Sequence, residues 1–113
     1  VLGICYGHQL IAYKLGGKVI KGESGEYGPT LFNTSFSSKL FDNIPKKFRV
    51  WMSHWDTVIN PPEGFRVIGN TEYTKVAAME HVKYPIASIQ FHPEVKHTDY
   101  GIEILKNFII HYT

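Results

Sequence analysis

At 113 residues the chain is long enough for one small domain with a modest core. Its 43% hydrophobic and 19% charged residues are those of an ordinary globular protein, which sets aside disordered and fibrous classes. The net charge is only +2 and the lysines are scattered without interleaved aromatics, which argues against nucleic acid as a partner, and no run approaches the ~18 apolar residues that span a membrane.

The apolar run Val1-Leu2-Gly3-Ile4 reads as a strand feeding Cys5, and Gly7 follows at once. Small residues beside a nucleophile permit a strained strand-to-helix elbow, which lifts the side chain above the sheet edge. A helix N-terminus at that point favours thiolate over thiol. A lone cysteine is also a small buried hydrophobe, and the elbow alone leaves both readings open. Being the only cysteine, it cannot form an internal disulfide, which fits a reducing compartment such as the cytoplasm.

Residues 8–15 read as a short helix stopped by Gly16-Gly17. Lys18–Gly22 and Thr30–Thr34 read as short strands around a glycine-rich turn, with Glu26 and Tyr27 as plain loop residues. Ser37–Ile44 allows one helical turn before Pro45. Phe48–Met52 reads as a strand, followed by Ser53-His54-Trp55-Asp56, whose backbone and side chains can line a pocket. A turn at Asn60–Gly64 precedes three candidate strands, Phe65–Asn70, Val76–His81 and Ile86–Phe91. Tyr84-Pro85 suits a hairpin between the last two.

Pro93 cannot donate to a sheet ladder, so it ends the last strand, and the i, i+2 spacing sends His92 and Glu94 to one side. A histidine able to take a thiol proton, with a carboxylate holding its ring, completes a triad around a cysteine nucleophile. The alternative is a strand-capping histidine beside a solvated glutamate. His92, Glu94 and His97 do not read as a metal site. They lack the i, i+4 histidine pair of a zinc helix, Pro93 disfavours a helix there, and one cysteine supplies no structural zinc set. From Thr98 onward, Ile102, Leu105, Phe108 and Ile109 recur at spacings of three and four, marking a helix that packs on the sheet, with Thr98 or Asp99 as N-cap.

Together, the Gly3-Ile4-Cys5-Tyr6-Gly7-His8-Gln9 elbow and the Phe91-His92-Pro93-Glu94 strand end resemble the class I (triad) glutamine amidotransferases. Val50–Asp56 and His92–Thr98 are similar to the glutaminase component of GMP synthases, in segments where carbamoyl-phosphate and anthranilate synthases usually differ. Gly16-Gly17-Lys18-Val19 and Gly25-Glu26-Tyr27-Gly28 also fall where the family has similar residues, so the resemblance covers essentially the whole chain. It implies an α/β fold with a mixed, largely parallel sheet, flanking helices and a flavodoxin-like core. Residues 1–113 would form the C-terminal part of a single amidotransferase domain. Further strands and a glycine-rich loop carrying one oxyanion donor are expected ahead of Val1.

The resemblance also implies the chemistry. Cys5 would be the nucleophile, His92 the general base and Glu94 its orienting carboxylate, with the Tyr6 N–H as the other oxyanion donor. Gln9, Ser53, His54 and Asp56 would hold L-glutamine, and His97 and Thr98 would contact a synthetase partner. Ammonia would pass to an ATP-pyrophosphatase-type synthetase that converts XMP to GMP. ATP and Mg are expected only at that partner, with no cofactor or metal in this chain. A chain stopping soon after its last helix fits the two-subunit type of archaea. The rivals are a glutaminase feeding a carbamoyl-phosphate or anthranilate type of synthase, a γ-glutamyl hydrolase that needs no synthetase, and an inactive truncated interaction module.

Overall fold

Alternating apolar and polar residues from Lys47 to Val58 put Phe48, Val50, Met52, His54 and Val58 on one buried face, which makes this stretch a long strand. The computed structural model describes residues 1–22 and 25–113. In chain order the elements are β1 (Leu2–Ile4), α1 (Tyr6–Lys14), β2 (Lys18–Thr34), a 3-10 turn (Lys39–Phe41), β3 (Lys47–Asn60), β4 (Phe65–Asn70), β5 (Ala78–His81), β6 (Ala87–Ile89) and α2 (Gly101–His111). The strands form one sheet in the order β1-β6-β5-β4-β2-β3.

The mixed α/β sheet is as expected, but its balance is not. Among the described residues only β1 and β6 pair in parallel, with Leu2, Gly3 and Ile4 opposite Ala87, Ser88 and Ile89. The β2–β3, β2–β4, β4–β5 and β5–β6 pairs are all antiparallel. Short links favour hairpins and hence antiparallel neighbours, whereas parallel pairing needs a long crossover. Here the β1-to-β6 connection runs through most of the chain. It brings the residue after β1 and the residues after β6 to the same end of the sheet.

Several boundaries differ from the sequence reading. The two short strands expected at Lys18–Gly22 and Thr30–Thr34 are one element, β2, with a register shift between Lys21 and Glu26. Part of the expected turn, residues 23 and 24, lies outside the described residues. β3 runs on through Asn60, so Ser53–Asp56 lies within a strand rather than following one. Pairing with β2 extends it, a long-range effect invisible to local pattern. α1 begins at Tyr6 and ends at Lys14, with Leu15 as its C-cap and Gly16 taking the positive φ (96°) that stops it.

α2 begins later than expected, after Tyr100 in the left-handed region at φ 60°, and no side chain caps it. Its buried face carries Gly101 and Ile104, with Leu105 and Phe108 half-buried, while Ile102 and Ile109 point outward. Contact with Pro93 sets this rotation. A Cβ on Gly101 would collide with the Pro93 carbonyl oxygen, so only glycine allows the helix so close. The main core is aromatic. Phe32 lies 5.3, 5.2 and 5.1 Å from the rings of Phe41, Phe48 and Phe91, and Ile104 of α2 closes the cluster. A second cluster of Ala12, Val58, Phe65, Val76 and Met79 seats α1 on the sheet.

Candidate active site

Cys5 stands between β1 and α1 with φ 53° and ψ −104°, a conformation a side-chain-bearing residue avoids unless its surroundings enforce it. They do so on both sides. The Cys5 N–H donates to Ile89 O at 2.9 Å, and the Cys5 carbonyl accepts from the Gln9 N–H at 3.2 Å. Gly3 makes the bend possible, since a Cβ there would lie 2.9 Å from the Gly7 backbone. The expected elbow is therefore present. The thiol donates to Ser53 O at 3.4 Å, and Gln90 Nε2 donates to Sγ at 3.7 Å.

The electrostatics differ from expectation. Burial pushes the Cys5 thiol up, and this outweighs the Tyr6 N–H and Gln90 amide, which pull it down; Glu94 adds a further upward push. The helix start alone does not make a thiolate here, so ionisation needs a base. A candidate base leaves the neighbouring strand at the same sheet end. Beyond β6, the His92 N–H donates to Trp51 O at 3.1 Å, and its ring Nδ1 lies 2.9 Å from Glu94 Oε2. An ionised carboxylate only accepts, so Nδ1 carries the proton and Nε2 is the basic nitrogen. Among the described residues no hydrogen bond joins the His92 ring to Sγ.

A cavity of about 240 Å³ opens beside the thiol, lined by Cys5, Tyr6, Gln9 and Ser53–Asp56. Two hollows of about 360 Å³ are larger, one along Thr34–Lys46 away from Cys5 and one sharing His54 and Trp55 with this cavity. Gln9 Nε2 donates to Asp56 O at 2.9 Å and to Gln90 Oε1 at 3.3 Å, tying the first turn of α1 to β3. His54 is turned inward and is only 6% exposed. Its Nδ1 lies 2.6 Å from Asp56 O and its Nε2 lies 2.8 Å from Glu26 Oε1.

Glu26, opposite His54 in the β2–β3 register, also accepts from the hydroxyls of Thr71 at 2.8 Å and of Thr74. Surrounded by donors, it is a carboxylate, and it faces one ring nitrogen of His54 while the other faces Asp56 O. Burial pushes the Glu26 carboxyl up, but the bonds from His54, Thr74 and Thr71 outweigh it and hold the group below its ordinary value. The reading of Glu26 as a plain loop residue is thus corrected, because cross-strand pairing brings it into the wall of the site.

Gln90, Thr71, Thr74 and the buried His8 also escaped the sequence reading. His8 Nε2 lies 2.8 Å from Val76 O and its Nδ1 lies 2.7 Å from Ser88 Oγ, so a neutral ring donates to the carbonyl and accepts from the hydroxyl. Ser88 and Gln90, polar inside an otherwise apolar strand, were the signal that could have found two of these. Nothing local marks Thr71 and Thr74. Thr98, expected at a partner contact, is buried, while His97 is exposed and lies 4.9 Å from the Trp51 ring. No group of three or more potential metal ligands occurs among the described residues. None of the described helices is long and apolar enough to cross a membrane.

The family model "Glutamine amidotransferase class-I" matches residues 1–112. The glutamine-hydrolyzing GMP synthase of Methanocaldococcus jannaschii, named there as one subunit of that enzyme, is 49% identical over 96% of this chain and 57% of that protein. The glutamine-hydrolyzing GMP synthase of Petrotoga mobilis is 52% identical over 96% of this chain and 22% of that protein. A solved protein of Thermoplasma acidophilum, described provisionally as one subunit of a GMP synthase, superposes with a TM-score of 0.91 at 40% identity, over 96% of this chain and 54% of that one. The chain thus spans little more than half the length of these single-subunit relatives.

Proposed function

Because the chain belongs to the class I glutamine amidotransferase family, we propose that it carries the nucleophile and base of a glutaminase serving a GMP synthase. The observation that carries this reading is the 2.9 Å bond between His92 and Glu94, on the strand end next to the Cys5 elbow. Cys5, as thiolate, attacks the side-chain amide carbon of L-glutamine and forms a C–S bond. His92 takes the thiol proton at Nε2 and returns it to the leaving nitrogen, so the C–N bond breaks and ammonia departs. Glu94 keeps Nδ1 protonated and stabilises the imidazolium. A water molecule, deprotonated by the same histidine, then hydrolyses the γ-glutamyl thioester to glutamate and free thiol.

Tyr6 opens α1, where backbone N–H groups have no intrahelical acceptor, so its N–H supports the developing oxyanion. The second donor is expected from the upstream loop of the family. Gln9, Ser53 and Asp56 border the cavity and suit the amino and carboxylate ends of glutamine, the exposed Asp56 carboxylate favouring the amino group. His54 serves by holding that wall, since both its ring nitrogens are engaged.

The names of the relatives favour GMP synthase over carbamoyl-phosphate or anthranilate synthases. On this reading, ammonia passes to a synthetase of the ATP-pyrophosphatase type that aminates XMP. ATP and Mg bind at that partner, and this chain, part of one amidotransferase domain in the cytoplasm, needs no cofactor. The test is the Cys5→Ser variant of the intact protein. Glutamine-dependent synthesis should fall by at least ~10³ while synthesis from added ammonium persists. A variant that keeps its glutaminase rate contradicts the reading.

A further inference from the structure

We propose that Thr98 is a positioning residue, a latch that holds His92 at the working distance from the Cys5 elbow. The inference rests on the reading of His92 as the general base.

His92 follows the last residue of β6 by three and has no ladder of its own to hold it. Its backbone is nevertheless fixed on both polar groups. The N–H donates to Trp51 O at 3.1 Å, and the carbonyl accepts from Thr98 Oγ1 at 2.6 Å. The same hydroxyl accepts from the Trp51 N–H at 2.9 Å. Thr98 therefore stands where a strand partner would stand, completing the bridge between β3 and the segment after β6. A hydroxyl has one proton and two lone pairs, so it can donate to one strand and accept from the other at once.

Thr98 is itself held. It is buried, its N–H donates to Val95 O at 3.2 Å, and the following Asp99 N–H donates to Arg49 O at 2.9 Å. The Gly101 contact with Pro93 presses the start of α2 against the residue next to His92. The Glu94 carboxylate, half exposed, orients the ring of His92 but does not set where its backbone lies. Ring tautomer and backbone position are thus controlled by different residues, Glu94 for the first and Thr98 for the second.

The test compares Thr98→Val, which keeps the shape and loses the hydroxyl, with Thr98→Ser, which keeps the hydroxyl. Both are made in the intact protein with its glutaminase activity as readout. A displacement of roughly 1 Å at a reacting group costs on the order of 10²-fold in rate. Thr98→Val should therefore lose about 10- to 100-fold in kcat for glutamine, with KM nearly unchanged. Thr98→Ser should restore most of the rate.

Parent-like kcat in Thr98→Val, a loss confined to KM, or equal impairment of both variants overturns the latch. If Thr98→Val does not fold, Thr98→Ala takes its place against Thr98→Ser under the same criteria. A Cys5→Ser variant run alongside separates the two ideas. If it still hydrolyses glutamine, the glutaminase reading fails and the latch with it. If it is inactive and Thr98→Val is not impaired, the latch alone fails.

Discussion

Two buried histidines are held by different kinds of partner. His54 lies between Asp56 O and the Glu26 carboxylate, whereas His8 faces one carbonyl and one hydroxyl and is neutral. Burial is the main cause that lowers His8 to about 4 from an ordinary 6.5, aided by the nearby charge of His54. Between those values the unfolded chain binds a proton that the folded chain refuses. The His8 contribution to stability therefore falls as pH drops from 6.5 to 4, by roughly 3 kcal/mol at ~1.36 kcal/mol per unit, and is constant below.

Glu26 acts in the same direction. Its folded carboxyl lies below its ordinary value, so its contribution is present above the ordinary range and lost as pH falls through the folded value. Urea midpoints should thus decline on acidification below neutrality, and His8→Gln should flatten the upper part of that decline. A midpoint independent of pH from 7 to 4 contradicts this account. Glu26→Gln, which removes the carboxylate that gathers His54, Thr71 and Thr74, should cost about 1–3 kcal/mol in the same assay at pH 7.

At the scale of elements, α2 is fastened to the sheet by a buried carboxylate. Glu80 of β5 accepts from Tyr112 Oη at 2.6 Å, from Ser38 Oγ at 2.5 Å and from Arg66 Nε at 2.8 Å. Burial first, and then the bond to Glu80, push the Tyr112 hydroxyl up to about 12, so it stays a donor across the working pH range. Tyr112→Phe should cost about 1.5–3 kcal/mol, and a thermal melt that does not shift argues against this fastening.

How far each element was legible depended on how local its cause was. Cys5 and Gly7 mark the elbow within three residues, and His92 and Glu94 stand two apart beyond the last strand, so the candidate nucleophile and base could be picked out locally, although that strand ends at Ile89 and not at Pro93. β2 and β3 could not. Their length comes from pairing with each other around the irregularity between Lys21 and Glu26, and only that pairing puts Glu26 opposite His54. The rotation of α2 was equally hidden, since it follows from Gly101 meeting Pro93 rather than from the spacing of isoleucines.

Across the whole molecule, the aromatic core and the candidate site are continuous. Phe91 is fully buried, lies 5.1 Å from Phe32 and 6.2 Å from Phe48, and immediately precedes His92. Phe91→Ala should lose about 3–5 kcal/mol of stability, and a chemical denaturation curve would show it. Because the same residue anchors the segment carrying the proposed base, kcat for glutamine should fall even at temperatures where the variant remains folded. The mixed α/β architecture with short flanking helices followed from the motif resemblance. The dominance of antiparallel pairs did not, because strand order depends on which distant segments meet.

The most direct measurement is the intact mass of the protein after brief treatment with a diazoketone analogue of glutamine, with and without excess glutamine. The account predicts one adduct, on Cys5, suppressed by glutamine and absent from Cys5→Ser. No adduct, or labelling that glutamine does not suppress, contradicts the assignment of Cys5 as the nucleophile of a glutamine site.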